Sequence, residues 1–297
     1  MGEPKDYDEL VSYAQNQEDM VLHALLHKTK KGFYVDVGAN HETLHSVTKF
    51  FYERGWHGIN IDPNVALMRE FEPRKRDINL TIGVSNKKGE LNFREYPHHD
   101  GFSTLSQAIK DQREAEGIPH KDYTVEVTTL KDIFKQNKVK NIDFLKVDVE
   151  GFEPEVLEGN DWSKYRPAVV TFEGTHLEKC RDFLKQQQYH EVFFDGLNIY
   201  MVADERTDLT IHTYSAVLLS HGYKMHAHKQ LEDEHFSLRE QALQLTEEVE
   251  RLANFIDTMP VRRAARMTLR QLKRSLRIRS RELAEKFNRP QLEESQD

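Results

Sequence analysis

Residues 33–42 read FYVDVGANHE, a short apolar strand that runs directly into a turn containing Asp36, Gly38 and Asn40. A glycine at a strand-to-helix turn allows the backbone to approach a ligand closely, and an acid beside it can accept hydrogen bonds. A pyrophosphate-binding turn would carry G-x-G-x-x-G, but Asn40 and Thr43 stand where its second and third glycines would be. The turn therefore favours a nucleoside ligand without phosphates.

Further apolar runs follow this strand and alternate with helical patterns. The predicted strands span 33–37, 57–62, 78–84, 142–148, 167–173, 190–195 and 197–202, and helices are expected near 15–28, 42–54, 64–72, 129–137, 153–160 and 176–187. This alternation predicts an α/β fold with a mostly parallel sheet covered on both faces. Because only Gly196 separates the last two strands, we expect them to form a tight hairpin that gives the sheet one antiparallel strand.

The segment between the third and fourth main strands departs from this pattern. Residues 89–95 and 124–128 are candidates for minor strands, whereas 96–123 indicate a long loop or a small insertion. Loops of this length inside a compact domain often serve as lids or binding loops. We therefore expect Ser103 and Thr104, in the sequence GFSTL, to contact a substrate.

Two further strand ends extend the predicted ligand site. Asp62 ends the second strand, where an acid can hold both ribose hydroxyls in a bidentate hydrogen bond; its alternative role is to cap the helix that starts near Pro63. Val84 and Ser85 follow the third strand and could border an adenine ring. Together with the turn after the first strand, these residues predict an S-adenosylmethionine site in a Rossmann-like, class I methyltransferase fold.

Six stretches of the chain carry a family resemblance, over about residues 10–203. These stretches resemble the FkbM family of S-adenosylmethionine-dependent O-methyltransferases. They read SYAQNQEDMVL, FYVDVGANHETLHSVTKFFYERGWHGINIDP, DINLTIGVSNKKGE, GFSTL, FLKVDVEGFEPEVLEG and FFDGLNIYMV. The resemblance implies a seven-stranded sheet whose last strand is antiparallel, and methylation of a hydroxyl, often on a sugar. It also places SYAQNQEDMVL over the cofactor, so that Gln15 and Glu18 become candidate cofactor-binding residues.

Acids and histidines at the predicted strand ends are the candidates for handling the acceptor hydroxyl. A sugar hydroxyl is weakly acidic, so its methylation needs a general base or a metal ion that lowers its pKa. The candidates are Asp148, Glu150, Glu173, His176 and His41. In one mechanism His176, His41 or Asp148 is the base; in the other Asp148, Glu150 and Glu173 hold Mg²⁺ or Mn²⁺. Glu153 is expected only to supply charge at a helix N-terminus.

The amino-acid composition indicates the cellular compartment in which such an enzyme would work. Of the 297 residues 38% are apolar, enough for one large domain with an appendage, and Cys180 is the only cysteine, as expected in a reducing compartment. The N-terminus lacks a signal-peptide pattern, and no stretch approaches the roughly 20 apolar residues of a membrane-spanning helix. We expect a cytoplasmic protein, with a contact on the inner face of the cell membrane as a further hypothesis.

We assign residues 1–205 to the methyltransferase domain. The C-terminal third of the chain has a different sequence pattern. After a linker over 206–226, apolar or small residues recur at heptad spacing within 227–259 and predict a coiled coil that makes a homo-oligomer. The heptad positions are Leu231, Leu238, Leu245 and Leu252, and four residues after each of them come His235, Ala242, Val249 and Ile256. A helix docked on the domain is the alternative.

The last segment, 260–297, is basic where the rest of the chain is acidic. Residues 262–281 hold nine Lys or Arg and no acid, and one helical face of 261–287 is apolar, which favours an amphipathic helix on an anionic membrane surface; a solvated tail is the alternative. Residues 1–257 carry a formal charge of −14, which does not fit a nucleic-acid-binding domain.

The resemblance to the FkbM family, together with the basic last segment, implies O-methylation of a sugar hydroxyl in a bacterial surface glycan, such as a capsule or O-antigen, or in its sugar-nucleotide or lipid-linked precursor. One alternative is O-methylation of a small natural product. A second alternative is a non-catalytic coiled-coil scaffold that retains the fold.

Overall fold

The computed structural model describes residues 10–97, 101–173, 176–209 and 223–225. In chain order the elements are β1 (Leu10–Ser12), α1 (Glu18–Leu25), β2 (Phe33–Val37), α2 (Lys49–Glu53), β3 (His57–Ile61), α3 (Val65–Glu70), β4 (Ile78–Leu80), β5 (Gly83–Val84), β6 (Gly89–Glu95), α4 (Gln107–Ala115), β7 (Lys121–Thr128), α5 (Leu130–Gln136), β8 (Phe144–Val147), α6 (Glu153–Glu158), β9 (Val169–Phe172), α7 (Leu177–Gln186), β10 (Tyr189–Phe194), β11 (Ile199–Ala203) and β12 (Tyr223–Met225).

The central sheet has seven strands in the order β10-β11-β9-β8-β2-β3-β4. Neighbouring strands from β9 to β4 are parallel, whereas β11 is antiparallel to both β9 and β10. The predicted mostly parallel sheet, with its one reversed strand last in the chain, is therefore confirmed. The hairpin before β11 is wider than expected, because four residues from Asp195 to Asn198 separate the strands, and the Asp195 carboxylate accepts the Leu197 and Asn198 N–H groups.

Helices cover both faces of this sheet, which explains why most positions of its inner strands are apolar or small. In β8, Leu145 and Val147 pack into a cluster with residues of α5, α6 and α7. Phe144, on the other face, packs with residues of α1 and α2. The alternation along one strand thus supplies two hydrophobic cores.

The predicted third strand, 78–84, is wrong as a single element. Its first part, β4, pairs with β3, but β5 pairs with β7 in a separate three-stranded sheet of order β5-β7-β6. The predicted loop over 96–123 also contains α4, which lies against this small sheet. Only Ile109 and Lys110 of α4 are buried, so the sequence lacks the apolar stripe that would have predicted a helix.

The predicted helix over 42–54 is shortened to α2 by a buried arginine. Arg74 donates to the Ser46 hydroxyl at 2.8 Å and to the Thr48 hydroxyl at 2.7 Å, and His45 has a left-handed φ of 56°. These contacts hold the segment before α2 in a non-helical conformation.

The predicted linker lies mostly outside the described residues, and the predicted coiled coil over 227–259 and tail over 260–297 lie entirely outside them. Within the described part of the chain, no helix is long and apolar enough to cross a membrane.

Candidate active site

A cavity opens at the carboxyl ends of β2, β3, β8 and β9, the edge at which open α/β sheets bind ligands. Most of the residues predicted from sequence line it together. They are Gln15, Glu18, Gly38, Asn40, Asp62, Val84, Ser103, Thr104, Asp148, Glu150 and Glu173. Four predicted residues, Asp36, Ser85, His41 and His176, do not line the cavity.

Gly38 brings two segments of the cavity wall together. Its φ is +81°, and a Cβ atom there would lie 1.7 Å from the Asp148 carbonyl oxygen. The Gly38 N–H donates to the Ile61 carbonyl at 2.9 Å, and the Asp148 N–H donates to the Val37 carbonyl at 3.0 Å. Glycine is therefore required here by the neighbouring backbone, independently of any ligand.

Asp62 faces the cavity with its carboxylate fixed by two backbone groups. Its oxygens accept the Asn64 N–H at 2.8 Å and the Asn40 N–H at 3.2 Å. Burial raises the pKa of Asp62 to about 6, although these two hydrogen bonds oppose the shift. The alternative role as a helix cap is wrong, because the Asn64 side chain caps α3 by accepting the Ala66 and Leu67 N–H groups.

Two residues predicted to bind the cofactor lie behind the cavity wall. Asp36 is 1% exposed, and burial raises its pKa. Its Oδ1 lies 3.5 Å from the Lys146 Nζ, so its visible role is to pair with that lysine. Ser85 is also buried, and its N–H donates to the Thr128 carbonyl at 2.8 Å. Its predicted contact with adenine is not supported, whereas Val84 does line the cavity.

The helix predicted over the cofactor contributes Gln15 and Glu18 to the cavity, and its acids are not on a solvated face. Glu18 is 3% exposed, burial raises its pKa, and it accepts the Asn16 N–H at 2.9 Å. Asp19 is fully buried and accepts the Ser12 hydroxyl and the Tyr13 N–H, each at 2.7 Å. Asp19 therefore fixes the start of α1, while Glu18 lines the cavity and also accepts the Asn198 side-chain amide at 3.3 Å.

Neither candidate histidine is placed to act as a base. The His41 Nδ1 accepts the Thr43 and Leu44 N–H groups at 3.1 Å, and its Nε2 lies 2.9 Å from the Glu70 carboxylate. Both ring nitrogens are thus engaged outside the cavity. His176 is exposed at the N-cap of α7 and does not line the cavity.

Three carboxyl groups remain on the acceptor side of the cavity. Asp148 Oδ2 accepts the Lys146 ammonium at 3.2 Å. Glu150 Oε2 accepts the Arg113 guanidinium at 2.6 Å, and burial followed by the charge of Asp148 raises its pKa. Burial and the charge of Asp148 raise the pKa of Glu173 to about 8. A carboxyl group that loses its proton near neutral pH is suited to general-base chemistry.

The proposed set of metal ligands does not fit this geometry. Asp148 and Glu150 each accept a hydrogen bond from a cationic side chain. In the described ranges, no group of three His, Cys, Asp or Glu side chains could hold a metal ion. Among the described residues, this set of carboxyl groups is therefore not supported as a metal site.

Loop 101–105 lines one wall of the cavity, and the substrate contact expected of Ser103 and Thr104 stays a prediction. The Ser103 hydroxyl accepts the Tyr96 N–H at 3.3 Å, and the Thr104 hydroxyl donates to the Glu150 carbonyl at 2.7 Å. Thr104 is 1% exposed, so its hydroxyl is committed to holding the loop against residue 150. Ser103 is the better placed of the two for a substrate contact.

Sequence reasoning missed Lys146 and Arg113. Lys146 interrupts the apolar run FLKV of β8, and a charged residue at a buried strand position is a signal that could have been noticed. Arg113 gave no such signal, because it lies among other polar residues of α4. Glu153 lies in the first turn of α6, where its carboxylate accepts the Gly151 N–H at 2.9 Å, but burial raises its pKa to about 7, so its expected role as a source of charge is not supported.

The sheet order, the reversed last strand and the cavity over the β2 turn are those expected of a Rossmann-like methyltransferase. The sequence matches the model of the methyltransferase FkbM domain over residues 36–206, more than half of the chain. The chain therefore belongs to the FkbM methyltransferase domain family.

Two solved structures are similar to the chain. The crystal structure of the methyltransferase FkbM from Methylobacillus flagellatus KT is 14% identical, with a TM-score of 0.37, over 58% of this chain and 44% of that one. The precorrin-6y C5,15-methyltransferase from Geobacter metallireducens GS-15 is 10% identical, with a TM-score of 0.34, over 66% of this chain and 93% of that one. The chain thus spans less than half of the M. flagellatus protein. No curated protein matches the sequence significantly.

Proposed function

We propose that this chain is an S-adenosylmethionine-dependent O-methyltransferase that acts on a sugar hydroxyl of a bacterial surface glycan or its precursor. One observation carries the proposal. A single cavity joins the Gly38 turn and Asp62 on one side to Asp148, Glu150 and Glu173 on the other. Family membership supports a methyltransferase, and the two sides of the cavity support a cofactor subsite facing an acceptor subsite.

The cofactor side fits a nucleoside. Asp62 lines the cavity, and each of its oxygens accepts one backbone N–H and keeps a further lone pair that could accept a ribose hydroxyl. The Gly38–Asn40 turn is held against the end of β3, since the Gly38 and Ala39 N–H groups both donate to the Ile61 carbonyl. S-adenosylmethionine would supply the methyl group as a sulfonium at this side, and the excess of carboxyl groups around the cavity suits a cationic ligand.

The acceptor side fits a hydroxyl that must lose its proton. Asp148 is the strongest candidate for the base, because Lys146 orients its carboxylate and its other oxygen is left for the substrate. Glu173 is the second candidate, since its pKa of about 8 lies close to the working range of a general base. This pair supports a hydroxyl acceptor, because a weakly acidic hydroxyl must lose its proton to a base.

The proposal is tested by calorimetric titration with S-adenosylmethionine, followed by methyl incorporation into candidate glycans with and without a chelator. We expect cofactor binding in the wild-type protein, and Asp148→Ala should keep this binding while turnover falls at least about 100-fold. A folded protein that does not bind the cofactor would contradict the enzyme hypothesis and favour a scaffold. Methylation of small hydroxylated compounds but not of glycans would favour the natural-product alternative.

The sequence beyond the domain leads to two further proposals. We propose self-association through residues 227–259, because apolar positions recur there at heptad spacing. We also propose contact of residues 261–287 with an anionic membrane surface, where lipid-linked glycan precursors would be presented. A soluble small acceptor would give no reason for a membrane-binding segment, so this contact also bears on the substrate class.

A further inference from the structure

Lys146 is a buried cation in the middle of the central sheet. It lies on β8, opposite Asp36 of β2 and Thr171 of β9 in the strand register, and it is 7% exposed. Burying an ammonium group costs several kcal/mol unless the group is paired and hydrogen-bonded. A lysine at this position therefore needs contacts that offset the cost of burying its charge.

The contacts of Lys146 join the two sides of the cavity. Its Nζ donates to the Gly38 carbonyl at 3.2 Å and to Asp148 Oδ2 at 3.2 Å, and it lies 3.5 Å from Asp36 Oδ1. Gly38 belongs to the turn proposed to hold the cofactor, whereas Asp148 is the proposed base. One ammonium group thus contacts both functional segments.

Carboxyl groups surround Lys146 from every neighbouring element. They are Asp36 on β2, Glu18 on α1, Asp148 after β8, Glu173 after β9 and, further away, Glu150, which Arg113 of α4 neutralises. Burial alone would lower the pKa of Lys146, but the charges of Asp36, Asp148 and Glu18 outweigh burial and raise it. Lys146 therefore remains an ammonium and cannot itself be the base.

We infer that Lys146 is a positioning residue, which fixes Asp148 and the Gly38 turn relative to each other and supplies the positive charge that faces the carboxyl groups of the cavity. The inference rests on the proposed function for its catalytic meaning. The contacts of the Lys146 ammonium with the Gly38 carbonyl, Asp148 and Asp36 do not depend on that function, because all of these groups belong to the chain itself. Two consequences can be measured without any acceptor.

The first measurement is the titration of Glu173. Its side-chain ¹³C carboxyl signal, assigned by comparison with Glu173→Gln, is followed against pH in the cofactor-free protein. Lys146 lowers the pKa of Glu173, so Lys146→Met should move the titration upward by about one unit, a tenfold change in proton affinity. The second measurement is amide hydrogen exchange, which should become at least about tenfold faster at residues 38–40 and 148–150.

Lys110→Met is the matched control. Lys110 is also buried, at 2% exposure, and its Nζ donates to the backbone and side-chain oxygens of Asn92, away from the cavity. Its removal should destabilise the small sheet while the Glu173 titration stays at the wild-type midpoint. Should Lys146→Met fail to fold, Lys146→Gln keeps an amide donor for the Gly38 carbonyl and carries the same expectation for Glu173.

An unchanged Glu173 titration without Lys146, or an equal shift in the Lys110 variant, would overturn the inference. Calorimetry with S-adenosylmethionine on the wild-type protein runs in parallel. Absence of cofactor binding would contradict the proposed function. The titration shift, measured without cofactor, would still decide the role of Lys146.

Discussion

At the scale of single residues, Asp62 and its neighbour Asn64 have separate tasks although they are two positions apart. Asp62 faces the cavity, whereas Asn64 caps α3. Asp62→Ala should weaken S-adenosylmethionine binding about 100-fold, since hydrogen bonds to a charged group are worth about 1.5–3 kcal/mol each. Calorimetric titration measures this loss.

Asn64→Ala is the control for Asp62. Loss of the cap should cost about 1 kcal/mol of unfolding free energy while cofactor affinity stays within about threefold of wild type. Wild-type affinity in Asp62→Ala, or an equal loss in both variants, would show that Asp62 does not contact the ligand.

Glu173 should make the stability of the domain depend on pH. Its pKa is near 4.5 in an unfolded chain and about 8 in the folded protein, so the folded state holds the proton more tightly. Stability contributed by Glu173 is therefore fully present below pH 4.5 and is lost as pH rises toward 8. Glu173→Gln should be more stable than wild type by about 1–2 kcal/mol at about pH 8.5 and nearly equal to it at about pH 4.5.

Urea denaturation of both proteins at the two pH values measures this difference. Glu178→Gln, on the exposed side of α7, is the control and should differ from wild type by the same amount at both pH values. A constant difference for Glu173→Gln would mean that the folded environment does not hold the proton on Glu173.

At the scale of elements, α4 packs against the loop that carries the candidate base. Gly151 has a φ of +89°, and a Cβ atom there would lie 2.7 Å from the Ile109 Cγ1. Gly117, after the same helix, has a φ of +73°, and a Cβ atom there would meet nothing within 4 Å. Gly151→Ala should therefore cost about 2–4 kcal/mol of unfolding free energy, combining left-handed strain with overpacking.

Gly117→Ala is the matched control, because it imposes the left-handed strain alone and should cost about 1–2 kcal/mol. Thermal and urea unfolding compare the two variants. Equal losses would mean that α4 does not pack tightly on residue 151, and that the loop carrying Asp148 is held by other contacts.

How much the sequence predicts also differs between elements. Strands β2, β3, β8 and β9 were predictable because burial on both faces makes most positions of each strand apolar or small. The polar helix α4 was not, because its few buried positions give no periodic signal. The division of 78–84 between two sheets depends on pairing with β3 and β7, which are distant in sequence.

Prediction of the site residues has the same limit as prediction of the elements, because contacts between distant parts of the chain are not visible in the local sequence. Positions after strand ends placed Asp62, Asp148 and Glu173 correctly at the cavity, because parallel strands share their carboxyl edge. His41 was misassigned, since its contacts with Glu70 and with the Thr43 N–H arise from the folded turn. The role of Lys146 depends on the alignment of β8 with β2, which the local sequence does not contain.

At the scale of the whole molecule, the charge of the chain is divided along its length. Residues 1–257 carry −14, whereas Thr258 to Arg289 carry +9, from 11 Lys or Arg and two Glu. An acidic domain is repelled by anionic lipid, so any attraction to such a surface must come from the basic segment. Each Lys or Arg near an anionic surface contributes about 1 kcal/mol.

Deleting residues 258–297 should therefore abolish binding to vesicles that contain phosphatidylglycerol, while the affinity for S-adenosylmethionine stays within about twofold of wild type. The 297-residue chain whose nine Lys and Arg of 262–281 are replaced by Gln is the matched control, because it keeps the chain length and the apolar face. It should lose vesicle binding as the deletion does, and about 0.5 M salt should weaken binding of the wild-type protein, since salt screens exposed charges.

Co-sedimentation with vesicles measures the binding of the deletion variant, of the Gln variant and of the wild-type protein in salt. Unchanged sedimentation of the deletion variant would show that the segment does not bind membrane, and would remove the argument that favours a lipid-linked glycan over a small soluble acceptor.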